Sequence, residues 1–338
     1  MTHRFPIKEI ARQAGLGTAT VDRALNGRAH VSPQTRARVA AAMAELEGQE
    51  AQLAARGRRM FFDFVIEAPD RFGREVRRAA ERVLPQIGAA VCRPRFVMQE
   101  IMSEPEVVAA LARIAKRGSH GVCLKARDLP GIRRAVDALV AAGIPVVTLV
   151  TDVTTEGRFA HVGLDNDSAG RTAAYLMVQS LRGAAGAVLA TRSNESFLGE
   201  KAREQAFTLA LARRCPRLRI VPVSGGSGVP YETARLIAEV AGQVPDLRAV
   251  YSMGGGNRAI LQVLAEHGIA PEVYVAHDLD VENRALIAEG AVSFVLHHDL
   301  TADMANVFQA FLHWHRLVPE MPGPLLSPVQ VITPENLS

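Results

Sequence analysis

Little in this chain would staple it, anchor it or export it. Its cysteines are Cys92, Cys123 and Cys215, odd in number, far apart and without a C-x-x-C spacing. Such usage argues against a disulfide framework and fits a reducing cytoplasm. The longest apolar run, ALVAAGIPVVTLV at 138–150, is broken by Gly143 and Pro145. A membrane span needs about 20 apolar residues, so this run reads as a helix end entering a buried strand. No apolar segment follows the first few basic residues, and no signal peptide is expected. G-x-S-x-G, H-E-x-x-H and the P-loop are also missing, which removes the usual motif grounds for hydrolytic or nucleotide chemistry.

What is present is a packed globular composition, 48% hydrophobic and 22% charged over 338 residues. That length exceeds one ordinary core and implies several domains. The net charge of +4 is unevenly placed: residues 1–60 hold ten Arg/Lys against five Asp/Glu, +5, which leaves −1 for residues 61–338. A compact basic module on a near-neutral body is the footprint expected of a nucleic-acid binder, or else an arginine-rich solvated surface.

Two architectures follow one another. Up to about Glu47 the periodicity is helical. PIKEIARQA puts Ile7, Ile10, Ala11 and Ala14 on one face before Gly15 breaks it, and TATVDRAL buries Val21, Ala24 and Leu25. A third helix opens with Ser32 as N-cap and Pro33 at its first position, its apolar face running through Val39, Ala42, Met43 and Leu46. Three short helices around a small core leave Thr18, Ala19, Asp22 and Arg23 on an outward face of the middle one. From Phe61 onward apolar strands alternate with amphipathic helices, the pattern of parallel sheets covered on both faces. The expected fold is therefore α/β: a three-helix helix-turn-helix unit at 1–47, a polar, arginine-rich linker at 48–60, and two doubly wound lobes at 61–338. The lobe boundaries are placed at about 61–160 plus 292–325 and about 161–291.

In open α/β sheets ligands bind beyond the carboxyl ends of the strands. Those ends hand off to Asp70 and Arg71, Lys125 and Arg127, Asp152, Asn194, Asn257, Asp278 and His297–His298–Asp299. Such a mix of carboxylates, amides and cations suits a small polyhydroxylated ligand. One stretch points elsewhere: MGGGNRAI at 253–260 reads G-x-G-x-x-A through Gly254, Gly256 and Ala259, with Asp278 ending the next strand. That matches a dinucleotide fingerprint and supplies an alternative, an NAD-dependent oxidoreductase. The HHD at 297–299 offers a metal site as a further alternative. HWHR at 313–316 does not, since alternate residues of a helix point apart, and Trp314 reads as packing. No cofactor and no catalytic or metal-ligating set is assigned.

The segment IKEIARQAGLGTATVDRALNGRAHVSPQTRARVAAAMAEL (7–46) closely resembles the headpiece of the lactose-repressor (LacI/GalR) family of bacterial transcription regulators. It carries I-x-x-I-A-x-x-A-G, T-V-x-R-x-L-N and V-S-x-x-T-R-x-x-V. IPVVTLVTDV, HVGLDNDSAGRTAAYLM and GGGNRAI resemble that family's regulatory core, which is like type I periplasmic sugar-binding proteins. The resemblance implies a recognition helix at 18–25 in the major groove, with 7–14 crossing the backbone. Thr18, Ala19, Thr20 and Asp22 are then aimed at bases, and Arg23, Asn26, His30, Ser32 and Thr35 at bases or phosphates. Asp22 stands where many relatives have Ser, and is expected to accept from a cytosine or to pair with Arg23.

The linker departs from the pattern, for EGQEAQLAARGRRM lacks the Tyr, Pro and Asn of the usual hinge. The wedging leucine's position falls on Gly57 or Arg58, so Arg56, Arg58 and Arg59 are expected to enter a narrow minor groove instead. By position the ligand contacts carry over to Asp70, Phe72, Lys125, Asp152, Asn194, Lys201, Arg203, Asn257, Asp278 and His298. Lys201 occupies the place of a clamping arginine. The chain thus reads as a cytoplasmic homodimeric repressor, not an enzyme. It binds a palindromic operator on double-stranded DNA and responds to a small polar effector, with sugar, polyol, nucleoside and sugar acid all open. No membrane contact is expected.

Overall fold

The computed structural model describes residues 4–28, 31–55 and 58–337, with the side chains of 50–55 outside that description. The chain forms two compact units, taken here one at a time.

In the N-terminal unit, α1 (Ile7–Ala14) forms because Ile10, Ala11 and Ala14 share one buried face. It stops at Gly15, whose φ of 61° is the left-handed cap that an L side chain resists. Arg38 then donates to the Ala14 carbonyl at 2.8 Å, satisfying an acceptor that the helix end leaves open. α2 (Thr18–Leu25) buries Val21. α3 (Pro33–Ala55) starts behind Ser32, whose Oγ accepts the Thr35 N–H at 3.1 Å. Phe5, Ile10, Ala11, Val21, Val39 and Leu46 make the core, with Ile7, Ala24, Leu25 and Met43 packed half-buried against it. Phe5 lies outside any helical period, so no pattern announced it. The stretch read as a linker is helical through Ala55. Its Glu, Gln, Ala and Leu residues are strong helix formers and no proline interrupts them.

The larger unit contains two sheets. The first runs β11-β5-β4-β3-β1-β2 and the second β12-β10-β9-β8-β6-β7. In the first, β1 is Arg59–Glu67, β2 Val91–Gln99, β3 Gly121–Lys125, β4 Val146–Leu149, β5 Ala160–Leu164 and β11 Leu326–Ser327. In the second, β6 is Gly186–Arg192, β7 Leu218–Ser224, β8 Leu247–Ser252, β9 Val273–His277, β10 Phe294–His297 and β12 Gln330–Ile332. β3 and β4 are buried along their whole length, as continuous apolar strands between helix layers must be. The helices that matter below are α4 (Asp70–Val83), α7 (Asn166–Leu181), α8 (Leu198–Arg214), α10 (Asn257–Glu266), α11 (Val281–Ala288) and α12 (Leu300–Trp314).

The lobe boundaries need correction. β5 pairs with β4 and stays in the first lobe to Leu164, beyond the expected break at 160. β10 pairs in parallel with β9, Phe294 against Val275, so 294–297 belongs to the second lobe and not to the first. The chain returns to the first lobe in α12, where Phe311 stacks on Phe62 of β1 with ring centroids 4.9 Å apart. Gly121 permits that approach, since a Cβ there would lie 2.5 Å from the Phe311 ring. β11 then joins β5, and two residues later β12 pairs antiparallel to β10. SPVQVIT, read as one strand, is thus divided between two sheets.

Candidate functional site

The carboxyl ends of both sheets open on one cleft. Phe72 on α4 and Lys125 at the end of β3 line it from the first lobe. Ser193, Phe197, Arg203 and Asp278 line it from the second.

Its polar groups are mostly spoken for. Arg71, on the first turn of α4, reaches across to the second lobe, with Nε 2.8 Å from Asp280 Oδ2 and Nη1 3.3 Å from the Gly228 carbonyl. Burial raises the Asp280 carboxyl above its ordinary value, against the Asn283 N–H and the Arg71 charge that favour ionisation. Glu200 accepts the Ser193 N–H and O–H, each at 2.6 Å. Lys125 Nζ donates to the Glu67 carbonyl at 2.9 Å and lies 4.3 Å from the centre of the Phe197 ring and 5.6 Å from that of Phe72. Burial draws its ammonium below the usual lysine range. His277, bonded through Nε2 to the Tyr251 hydroxyl at 2.9 Å, is held well below 6.5 by burial and then by Arg203 and His298.

Of the ligand contacts expected from sequence, Phe72, Lys125, Arg203 and Asp278 come together on this cleft. The others go elsewhere. Asp70 is exposed and points its backbone N–H at Glu100. Asp152 grips Arg158 through both carboxylate oxygens and accepts the Thr148 hydroxyl, which anchors a loop. Asn194 caps its own turn by accepting the Ser196 N–H at 2.9 Å, and Lys201 is exposed. Asn257 is buried behind the site, donating to Asn283 and accepting from Tyr274. His298 is buried against Asp303 through Nδ1 at 2.6 Å, with its Nε2 3.7 Å from Asp278. His297 Nδ1 instead accepts the Leu279 N–H at 3.2 Å. The two histidines therefore do not converge on a metal, and among the described residues no group of three His, Cys, Asp or Glu does.

Sequence reasoning placed Arg71 at a strand end without carrying it into the set of ligand contacts, and it missed Phe197, Glu200, His277 and Asp280. A signal for two of them existed. Phe197, Glu200 and Arg203 recur every third residue at the start of α8 and so share one face, whereas Lys201 falls on another. Arg203, and not Lys201, therefore faces the cleft.

The glycines of GGGNRA have a packing role. A Cβ on Gly254 would lie 2.3 Å from the Ser193 nitrogen, and one on Gly255, at φ +85°, would lie 1.8 Å from an Arg71 Nη. Close packing against Ser193 and Arg71 accounts for these two glycines without a nucleotide.

On the N-terminal unit, Thr18 and Ala19 are exposed on the first turn of α2, with Thr20 and Asp22 half-buried. Asp22 accepts from the Asn26 side chain at 2.9 Å and pairs with Arg28 at 3.3 Å, so its cation is Arg28 where Arg23 was expected. Arg28 has the reach because α2 has ended and the chain turns back. Arg23, exposed, continues the outward face; Ser32 and Thr35 share a hydroxyl hydrogen bond of 2.8 Å at the start of α3. Arg58 is exposed beside β1, and its carbonyl accepts the Val91 N–H. His30 and Arg56 lie outside the described residues.

Residues 66–305 match the periplasmic binding protein domain, and residues 6–47 match the bacterial regulatory proteins of the lacI family. No curated protein matches the chain. Among solved structures, a protein assigned as a LacI transcriptional regulator from Bacteroides fragilis superposes with a TM-score of 0.72 at 16% identity, covering 82% of this chain and 98% of that one. The glucose-galactose binding protein GanP from Geobacillus stearothermophilus gives 0.71 at 19% identity over 82% and 98%. A periplasmic solute binding protein from Actinobacillus succinogenes, solved with bound D-allose, gives 0.69 at 13% identity over 82% and 98%. At these identities the likeness is one of fold. Among the described residues no helix is long and apolar enough to cross a membrane.

Proposed function

We propose, for a chain that belongs to the periplasmic binding protein domain family over 66–305 and carries the lacI-family regulatory domain over 6–47, that it is a sugar-responsive, DNA-binding transcription regulator. The observation that carries this reading is the presence in one chain of two recognition surfaces. One is the outward first turn of α2, with Thr18 and Ala19 exposed while Val21 anchors the helix in its core. The other is a lined cleft fed by both sheets. An enzyme would have no use for the first, and an exported binding protein would have none either.

The finer reading is a cytoplasmic homodimeric repressor on a palindromic operator, with 1–47 as the DNA-reading unit and 48–60 joining it to the core. Two-fold symmetry in the protein is mirrored by the half-sites it reads. Thr18, Ala19, Thr20 and Asp22 read base edges, while Arg23, Asn26, Ser32, Thr35 and Arg58 contact bases or phosphates. The bound sugar of the D-allose complex and the glucose-galactose binding of GanP support a sugar or polyol in the cleft. Effector and operator affinities are then linked, each changing the other by the same factor. Selection of genomic fragments by the purified protein tests the reading, and a recovered palindrome whose affinity shifts with a sugar supports it. No enriched sequence, with or without a sugar panel, refutes it.

A further inference from the structure

Two buried cations of the cleft, Lys125 and Arg203, make no direct ion pair among the described residues, although Glu200, Glu67 and Asp278 act on Lys125 from farther off. Lys125 is 9% exposed and Arg203 4%. Among the described residues no carboxylate lies within 4 Å of either, and each makes one hydrogen bond, to the carbonyl of Glu67 and of Met253 respectively. Arg203 Nε is buried with no partner at all. A buried charge is costly unless it is paired and hydrogen-bonded.

The neighbouring carboxylates are committed elsewhere. Glu67 pairs with Arg127 at 3.0 Å and Asp280 with Arg71. Both oxygens of Glu200 are taken by Ser193. Asp278 lies 3.7 Å from His298 and makes no direct ion pair with either cation. Lys125 and Arg203 line the same cleft; burial lowers the lysine's pKa, Glu200, Glu67 and Asp278 oppose that, and Arg203 adds to it.

We infer that the effector carries a carboxylate, placed between Lys125 and Arg203, and is a polyhydroxylated acid of the aldonate or uronate class. This rests on the reading of the cleft as an effector site. A guanidinium fork takes a carboxylate through two parallel hydrogen bonds, and the ammonium adds a point charge. Glu200 and Asp278 already offset the two cations at a distance, so they oppose a phosphate dianion more than a single carboxylate in direct contact. Phe72 and Phe197 offer apolar faces to the C–H side of a sugar chain, and the free Asp278 oxygen accepts from a hydroxyl.

Matched ligands decide the matter: D-gluconate with D-glucose, D-galacturonate with D-galactose, and D-glucose 6-phosphate, each titrated calorimetrically into the full-length protein and into Lys125→Met. At least one acid is expected to bind a hundredfold tighter than its neutral partner, and Lys125→Met to weaken the acid at least tenfold more than it weakens the neutral sugar. Unliganded Lys125→Met is expected to melt higher than the parent, since a buried unpaired charge is gone, which also reports that it folds. Neutral sugars binding as tightly as the acids overturn the carboxylate and leave the sugar-responsive reading intact. Preference for the phosphate ester overturns the carboxylate in favour of a phosphorylated sugar. No binding by any of the ligands overturns both readings.

Discussion

Arg71 and Asp280 form an ion pair of 2.8 Å across the cleft, and the guanidinium rests against Gly255. One residue comes from the first lobe and the other from the second, so the two lobes hold each other through side chains before any ligand is considered. A ligand must work with or displace this pair.

Arg71→Met is expected to destabilise the protein by about 3 kcal/mol in urea unfolding, because it strands a buried carboxylate. Adding Asp280→Asn should recover part of that loss, since the uncompensated charge is then removed as well. A double mutant no more stable than Arg71→Met would sink this account.

Gly255→Ala should cost about 2 kcal/mol. The left-handed backbone disfavours any Cβ, and the Cβ would fall on the Arg71 guanidinium. Effector affinity measured calorimetrically should drop with it. Wild-type stability in thermal melts would contradict the packing described.

Burial holds His277, His297 and His161 below the ordinary 6.5 in the folded state. The unfolded chain therefore takes up protons first as pH falls. Stability should be full above about pH 6.5 and decline below it, toward the lower folded-state values, by up to about 1.4 kcal/mol per pH unit for each histidine. His277→Gln should flatten that slope in urea titrations between about pH 7 and about pH 5. An unchanged slope would remove His277 from the explanation.

Among the described residues Asp22 is tied to Asn26 and Arg28, both exposed. Asp22→Ser should leave stability within about 1 kcal/mol. On DNA it should bind roughly fivefold tighter, the ~1 kcal/mol scale of one exposed charge, with less discrimination at one base pair. Fluorescence anisotropy on operator variants reads both; tighter binding without relaxed specificity would assign Asp22 to phosphate repulsion alone.

Much of the fold could be read along the chain. Ile10, Val21, Val39 and Leu46 fell on their helical faces, and the apolar strands announced two doubly wound lobes. Local period and turn chemistry suffice for that, because each element buries one face whatever its neighbours are. Lobe membership at 160–164, 294–297 and 326–332 was not legible, since a strand's pattern says that it is buried and not which sheet buries it.

The site divides the same way. The sequence by itself determined that polar groups gather at the strand ends and that small groups open α2. Only the tertiary structure decided that Asp152 grips Arg158, that Asn257 is walled in by Tyr274 and Asn283, and that Asp22 meets Arg28. It alone left Lys125 and Arg203 on a common cleft with no direct ion pair among the described residues. Charge pairing depends on distances between residues far apart in the chain, such as 71 and 280, and no local pattern encodes those distances.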